Sequence, residues 1–110
     1  MFTKKEKEIM SISYFIVLNE NEAMYELESK RTGQIWAIVP ISLEQSVYYK
    51  LLHKYLTEDN YHFQTDCGSV LDAVLEIINH DDYKLHNRSG LLKRYYNNIH
   101  NIIIGGLSQW

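Results

Sequence analysis

The chain has 110 residues, of which 45% are hydrophobic and 23% charged, with a formal net charge of −3. That length suits one domain spanning residues 1–110 around one core. So mild a charge neither demands a nucleic-acid partner nor marks a DNA mimic. With Cys67 as the only cysteine, an intrachain disulfide is excluded, which fits a reducing cytosol.

The opening MFTKKEKEIM has charges but no apolar segment of signal-peptide type. No apolar run approaches the roughly 20 residues needed to span a bilayer, so a soluble, cytoplasmic protein is expected. Ile, Asn, Tyr and Lys are abundant, as AT-rich coding would produce. That composition points to a low-GC bacterium or its phages.

In chain order, Met1 to Met10 reads as a solvated lead-in of about one helical turn. Ile12 to Leu18 is short, β-branched and aromatic, hence a strand, and its two apolar faces predict burial on both sides. Asn19 to Glu22 is a turn. Ala23 to Ser29 alternates, with Tyr25 and Leu27 on one face and Met24, Glu26 and Glu28 on the other. Arg31-Thr32-Gly33 turns the chain into a third strand, Gln34 to Val39; Pro40 cannot donate to a ladder, so the strand is expected to end there or to lie at an edge.

Val47 to Leu56 and Tyr61 to Thr65 form a fourth and a fifth strand. A two-residue turn at Glu58-Asp59 would pair Leu56 with Tyr61 and Tyr55 with His62. Tyr49, Leu51, His53, Tyr55, His62 and Gln64 then share one face.

Ser69 is a good N-cap, with Asp72 three residues on. Val70, Ala73, Val74, Ile77 and Ile78 recur at helical spacing, predicting a helix over 69–80 that stops near His80. Asp81 and Asp82 would begin a turn. A second helix is predicted over 91–103, with Leu92, Tyr95, Tyr96, Ile99 and Ile103 as its stripe. Strands followed by helices imply an α+β fold: a five-stranded, mainly antiparallel sheet over residues 12–65, with two helices packed on one face.

No phosphate loop (GxxxxGK or GxGxxG) and no GxSxG elbow is present. Cys67 precedes a helix N-terminus, where a thiolate is stabilised and His62 could act as base. Position 73 is alanine, however, where a phosphatase loop would need arginine, and a lone cysteine behaves as a small buried hydrophobe. Glu26 and Glu28 share a strand face, but nothing nearby would raise one carboxyl pKa for acid–base work.

The sequence therefore predicts no catalytic residue, no metal and no cofactor. It predicts a non-enzymatic interaction domain of inhibitory or regulatory kind. The expected interface is the aromatic and histidine-bearing sheet face, Tyr49, His53, Tyr55, His62 and Gln64, because tyrosine buries much area at low entropy cost. The partner would be another protein or a second copy of the chain, with no membrane involved. The alternative is a nucleic-acid-binding module using Arg88, Lys93, Arg94 and Tyr96, basic residues interleaved with aromatics. A third reading is a small metal-dependent nuclease using His53, His62 and His80. It is disfavoured because His80 falls at the end of its helix instead of on a face turned to the hairpin.

Overall fold

The computed structural model describes residues 2–55, 60–84 and Ile102. Its elements are α1 (Lys4–Met10), β1 (Phe15–Glu20), β2 (Tyr25–Ser29), β3 (Ile35–Leu43), β4 (Ser46–Lys54), β5 (His62–Cys67) and α2 (Val70–Lys84). The strands form one five-stranded sheet in the order β1-β2-β3-β4-β5, antiparallel throughout. The expected α+β architecture is thus present. The predicted helix over 91–103 lies outside the described residues except for Ile102, which is helical and packs half-buried against the core. Among the described residues no helix is long and apolar enough to cross a membrane.

The core forms where α2 lies on the sheet. Val70, Ala73, Val74, Ile77 and Ile78 are all buried, as the helical spacing predicted. Beneath them lie Leu27, Trp36, Ile38 and Leu51, each fully buried. At the start of α2, Ser69 Oγ accepts from the Asp72 N–H (3.0 Å), which satisfies one of the helix's free donors. Gly33 takes a left-handed φ of 71° in the β2–β3 turn, a conformation that costs glycine nothing.

Four expectations needed correction. The lead-in is a helix. Thr3 caps it, with the Glu6 N–H donating to Thr3 Oγ1 and the Thr3 N–H donating to Glu6 Oε1. Seven residues are too few for a stable isolated helix. Burial of Phe2, Ile9 and Met10 holds it in place, and Glu6 Oε2 also accepts from Tyr49 Oη (2.5 Å), tying α1 to β4.

Secondly, β1 is not buried on both sides. It lies at a sheet edge with one neighbour, so Ile16, Val17 and Leu18 are exposed while Ile12, Tyr14 and Phe15 enter the core. Thirdly, β3 runs on through Pro40, which pairs with Tyr49. Strand β2 begins only at Tyr25, opposite Ile38, so at Pro40 β3 is a local edge, the other expected placement, and needs no donor toward β2.

Finally, α2 does not stop at His80 but continues to Lys84. Asp81 can lie in that last stretch, fully buried, because Tyr14 Oη (2.5 Å) and Thr32 Oγ1 (3.2 Å) both donate to its carboxylate.

Truncating the α2 stripe should be costly and truncating β1 cheap. Ile77→Ala is expected to lower unfolding free energy by about 2–5 kcal/mol, and Ile16→Ala by less than about 1 kcal/mol. Urea titrations followed by circular dichroism measure both, and equal costs would contradict this account of the core.

Candidate functional site

The β4–β5 register differs from the expected one. His53 pairs directly with His62, Leu52 with Phe63 and Leu51 with Thr65. Gln64 has no opposing residue, because a bulge falls between Leu51 and Leu52. Residues 56–59, where the tight turn was expected, lie outside the described residues.

The face carrying Tyr49, Leu51 and His53 is the one that the helices cover. Tyr49 is buried, stacked on Phe2 at a centroid distance of 6.4 Å and bonded to Glu6. Burial first, then the Glu6 carboxylate, push its phenol up to about 12. Tyr49 is therefore unavailable to a partner. His53 and Gln64 are half-buried, while Tyr55 and His62 are exposed. The five expected interface residues thus do not form one accessible patch.

What the fold does bring together is histidines. The His53 ring lies 6.0 Å from that of His62 and 5.8 Å from that of His80, centroid to centroid. Trp36 packs against two of them, 5.3 Å from His53 and 5.2 Å from His80. Strands β3, β4 and β5 and helix α2 each contribute one side chain to this group. Strand parity sets Trp36 on one face of β3 with Ile38, as observed, but gives no sign that it packs against the histidines. The expectation that His80 would point away from the hairpin is overturned by the extra turn of α2.

The opposite, outer face of the sheet carries a different surface. Register places Val39, Ile41 and Leu43 of β3, Tyr48 and Leu52 of β4 and Phe63 of β5 on it. Leu43 and Phe63 are 57% and 58% exposed, and the other four are half-buried. Neighbouring Ile35 and Ala37 are buried. Tyr61 accounts for this: its hydroxyl donates to the Glu26 carboxylate on β2 while Lys54 Nζ sits 4.8 Å from its ring centroid. The side chain therefore crosses β3. Burial and the Glu26 carboxylate raise its pKa. Among the described residues, this strap is the cover at one end of the outer face.

Arg88, Lys93, Arg94 and Tyr96, the expected nucleic-acid residues, lie outside the described residues. Cys67 is buried at the end of β5. Desolvation, then the charges of Glu76, Asp72 and Asp66, push its thiol up to about 11, the opposite of what a nucleophile needs. No protein-family model matches the chain, and no curated protein or solved structure is significantly similar to it.

Because the thiol of Cys67 stays protonated at neutral pH, its alkylation should be slow. Folded protein at pH 8 is expected to react with iodoacetamide far more slowly than urea-unfolded protein, as followed by intact mass. Equally fast labelling of the two would contradict the buried, protonated thiol.

Proposed function

We propose that the protein is a non-enzymatic interaction domain that docks another protein on the outer face of its sheet. One observation carries this reading. Among the described residues both helices lie on the inner face, and the outer face of β3–β5 presents mainly apolar side chains, with the Lys50–Asp66 pair set among them. A water-facing sheet surface ordinarily alternates to polar residues. Here Val39, Ile41, Leu43, Tyr48, Leu52 and Phe63 stand where solvent-facing polar groups belong. Contiguous exposed apolar surface of this kind marks interaction sites.

The chemistry fits an apolar partner surface more than a polyanion. Lys50 on this face is opposed by Asp66 across the β4–β5 pair, and Lys54 lies over the Tyr61 ring. Neither cation is left to form a basic track. The aromatic anchors Tyr48 and Phe63 are the residue types that dominate binding energy at protein interfaces.

The test is capture of a partner from cell lysate by tagged protein, with and without nuclease treatment, in parallel with a Leu43→Asp/Phe63→Asp double variant. Both side chains are more than half exposed, so the variant should keep the wild-type circular dichroism spectrum. A protein captured at stoichiometric level, resistant to nuclease and lost from the double variant is expected. Its retention by the folded double variant would refute the assignment of this face. Loss on nuclease treatment would move the function to nucleic acid.

A further inference from the structure

We propose that the free edge of β1 pairs with β1 of a second copy of the chain, joining two sheets into one across a two-fold axis. Among the described residues, β1 is an outermost strand with a neighbour on one side only. Its sequence, FIVLNE, holds neither lysine nor proline, the residues that most often blunt an edge against pairing, and its one charge lies at the far end. Ile16, Val17 and Leu18 are 44%, 37% and 46% exposed, three apolar side chains in a row on a strand whose outward side is open. The bulge in its pairing with β2 begins only after Val17, so Phe15 to Val17 is regular strand.

The backbone groups that face outward follow from the hydrogen bonds. The Lys30 N–H donates to the Tyr14 carbonyl, so Tyr14 turns toward β2. Alternation then turns Phe15 away, Ile16 toward β2 and Val17 away. Ser29, opposite Phe15, has the same phase: its N–H donates to the Gln34 carbonyl, away from β1. The Phe15 N–H is taken by the Ile12 carbonyl, which leaves the Phe15 C=O and the Val17 N–H facing outward. An antiparallel two-fold centred on Ile16 sets Phe15 opposite Val17 of the second copy. Each Val17 N–H then donates to a Phe15 carbonyl, and Ile16 packs on its own counterpart.

Charge selects a second copy as the occupant. Glu20 and Glu22 stand exposed at one end of β1, and Lys7, which lines the same cavity, leaves that end net negative. Lys30 and Arg31 are exposed at the other end, beside Tyr14. Antiparallel pairing reverses the strand, so each acidic end meets a basic one. The contact is isologous and closes at two copies. It also leaves the outer face of β3–β5 free, so it stands independently of the docking reading.

The test is sedimentation equilibrium of untagged full-length protein from low micromolar to millimolar concentration, where a monomer–dimer equilibrium is expected. Val17→Pro removes the outward N–H and spares the β1–β2 ladder. Ile16→Glu sets two carboxylates face to face across the axis. Each should raise the dimer dissociation constant by about tenfold or more. Circular dichroism checks that the variants are folded, and the exposed Ile16→Glu still reads the interface if Val17→Pro unfolds. Arg31→Glu should weaken the dimer and added Glu22→Arg should restore it; failure to restore would refute the crossed charged ends. A monomer at millimolar concentration would overturn the pairing. So would a dimer that persists in folded Ile16→Glu, or one lost from the Leu43→Asp/Phe63→Asp variant alone.

Discussion

A five-stranded sheet has two faces, and the described helices cover only one of them. The stability of the fold follows from that arrangement. The stripe of α2 lays Val70, Ala73, Val74, Ile77 and Ile78 on Leu27, Trp36, Ile38 and Leu51. Each large apolar side chain buried this way contributes about 1.5–3 kcal/mol. Helix α1 extends the cover past the start of α2, and Phe2 meets Tyr25 edge-on at 5.3 Å. Among the described residues, the outer face has only the Tyr61 strap, beside the buried Ile35 and Ala37.

Polar groups inside the core fall into two kinds. Asp81, Tyr14 and Thr32 satisfy one another, and Trp36 Nε1 donates to Ser29 Oγ at 3.1 Å. Partners of this kind offset the cost of burying the Asp81 carboxylate. The Asp81 bonds also pin the last turn of α2 to the segment before β1 and to the β2–β3 turn. Gln34 and Asp82 are the other kind, each 1% exposed with its side-chain polar atoms unsatisfied. A group of that sort costs folding free energy, and such costs concentrate where a chain keeps residues for something other than stability.

Much of the architecture was legible from local pattern. The 3.6-residue period of α2, the Ser69 cap and the alternation of Tyr25, Leu27 and Ser29 each encode their own burial. The failures have a common physical cause. Whether Ile16, Val17 and Leu18 are covered depends on which strands neighbour β1, and local apolarity carries no information about that. Pro40 is tolerated because β2 begins only at Tyr25, a fact about another strand. The Thr3–Glu6 capping box was different: it was readable, but a run of lysines and glutamates disguised a helix whose apolar contacts come from Phe2, Ile9 and Met10.

The histidine cluster shows how facing and distance separate. The expected pairing set His62 opposite Tyr55, and the observed one sets it opposite His53. These registers differ by two residues, and a shift of two preserves the face while moving every contact along the strand. Common facing of His53 and His62 was therefore legible, but their direct opposition was not. His80 joined them only because α2 runs on past it, with Asp81 held in place by Tyr14 and Thr32. The result departs from the usual pattern of an antiparallel sheet, apolar where covered and polar where open. Here His53, His62 and Gln34 gather at one end of the inner face, while Val39, Ile41, Leu52 and Phe63 occupy the outer one. Core packing alone would favour neither placement.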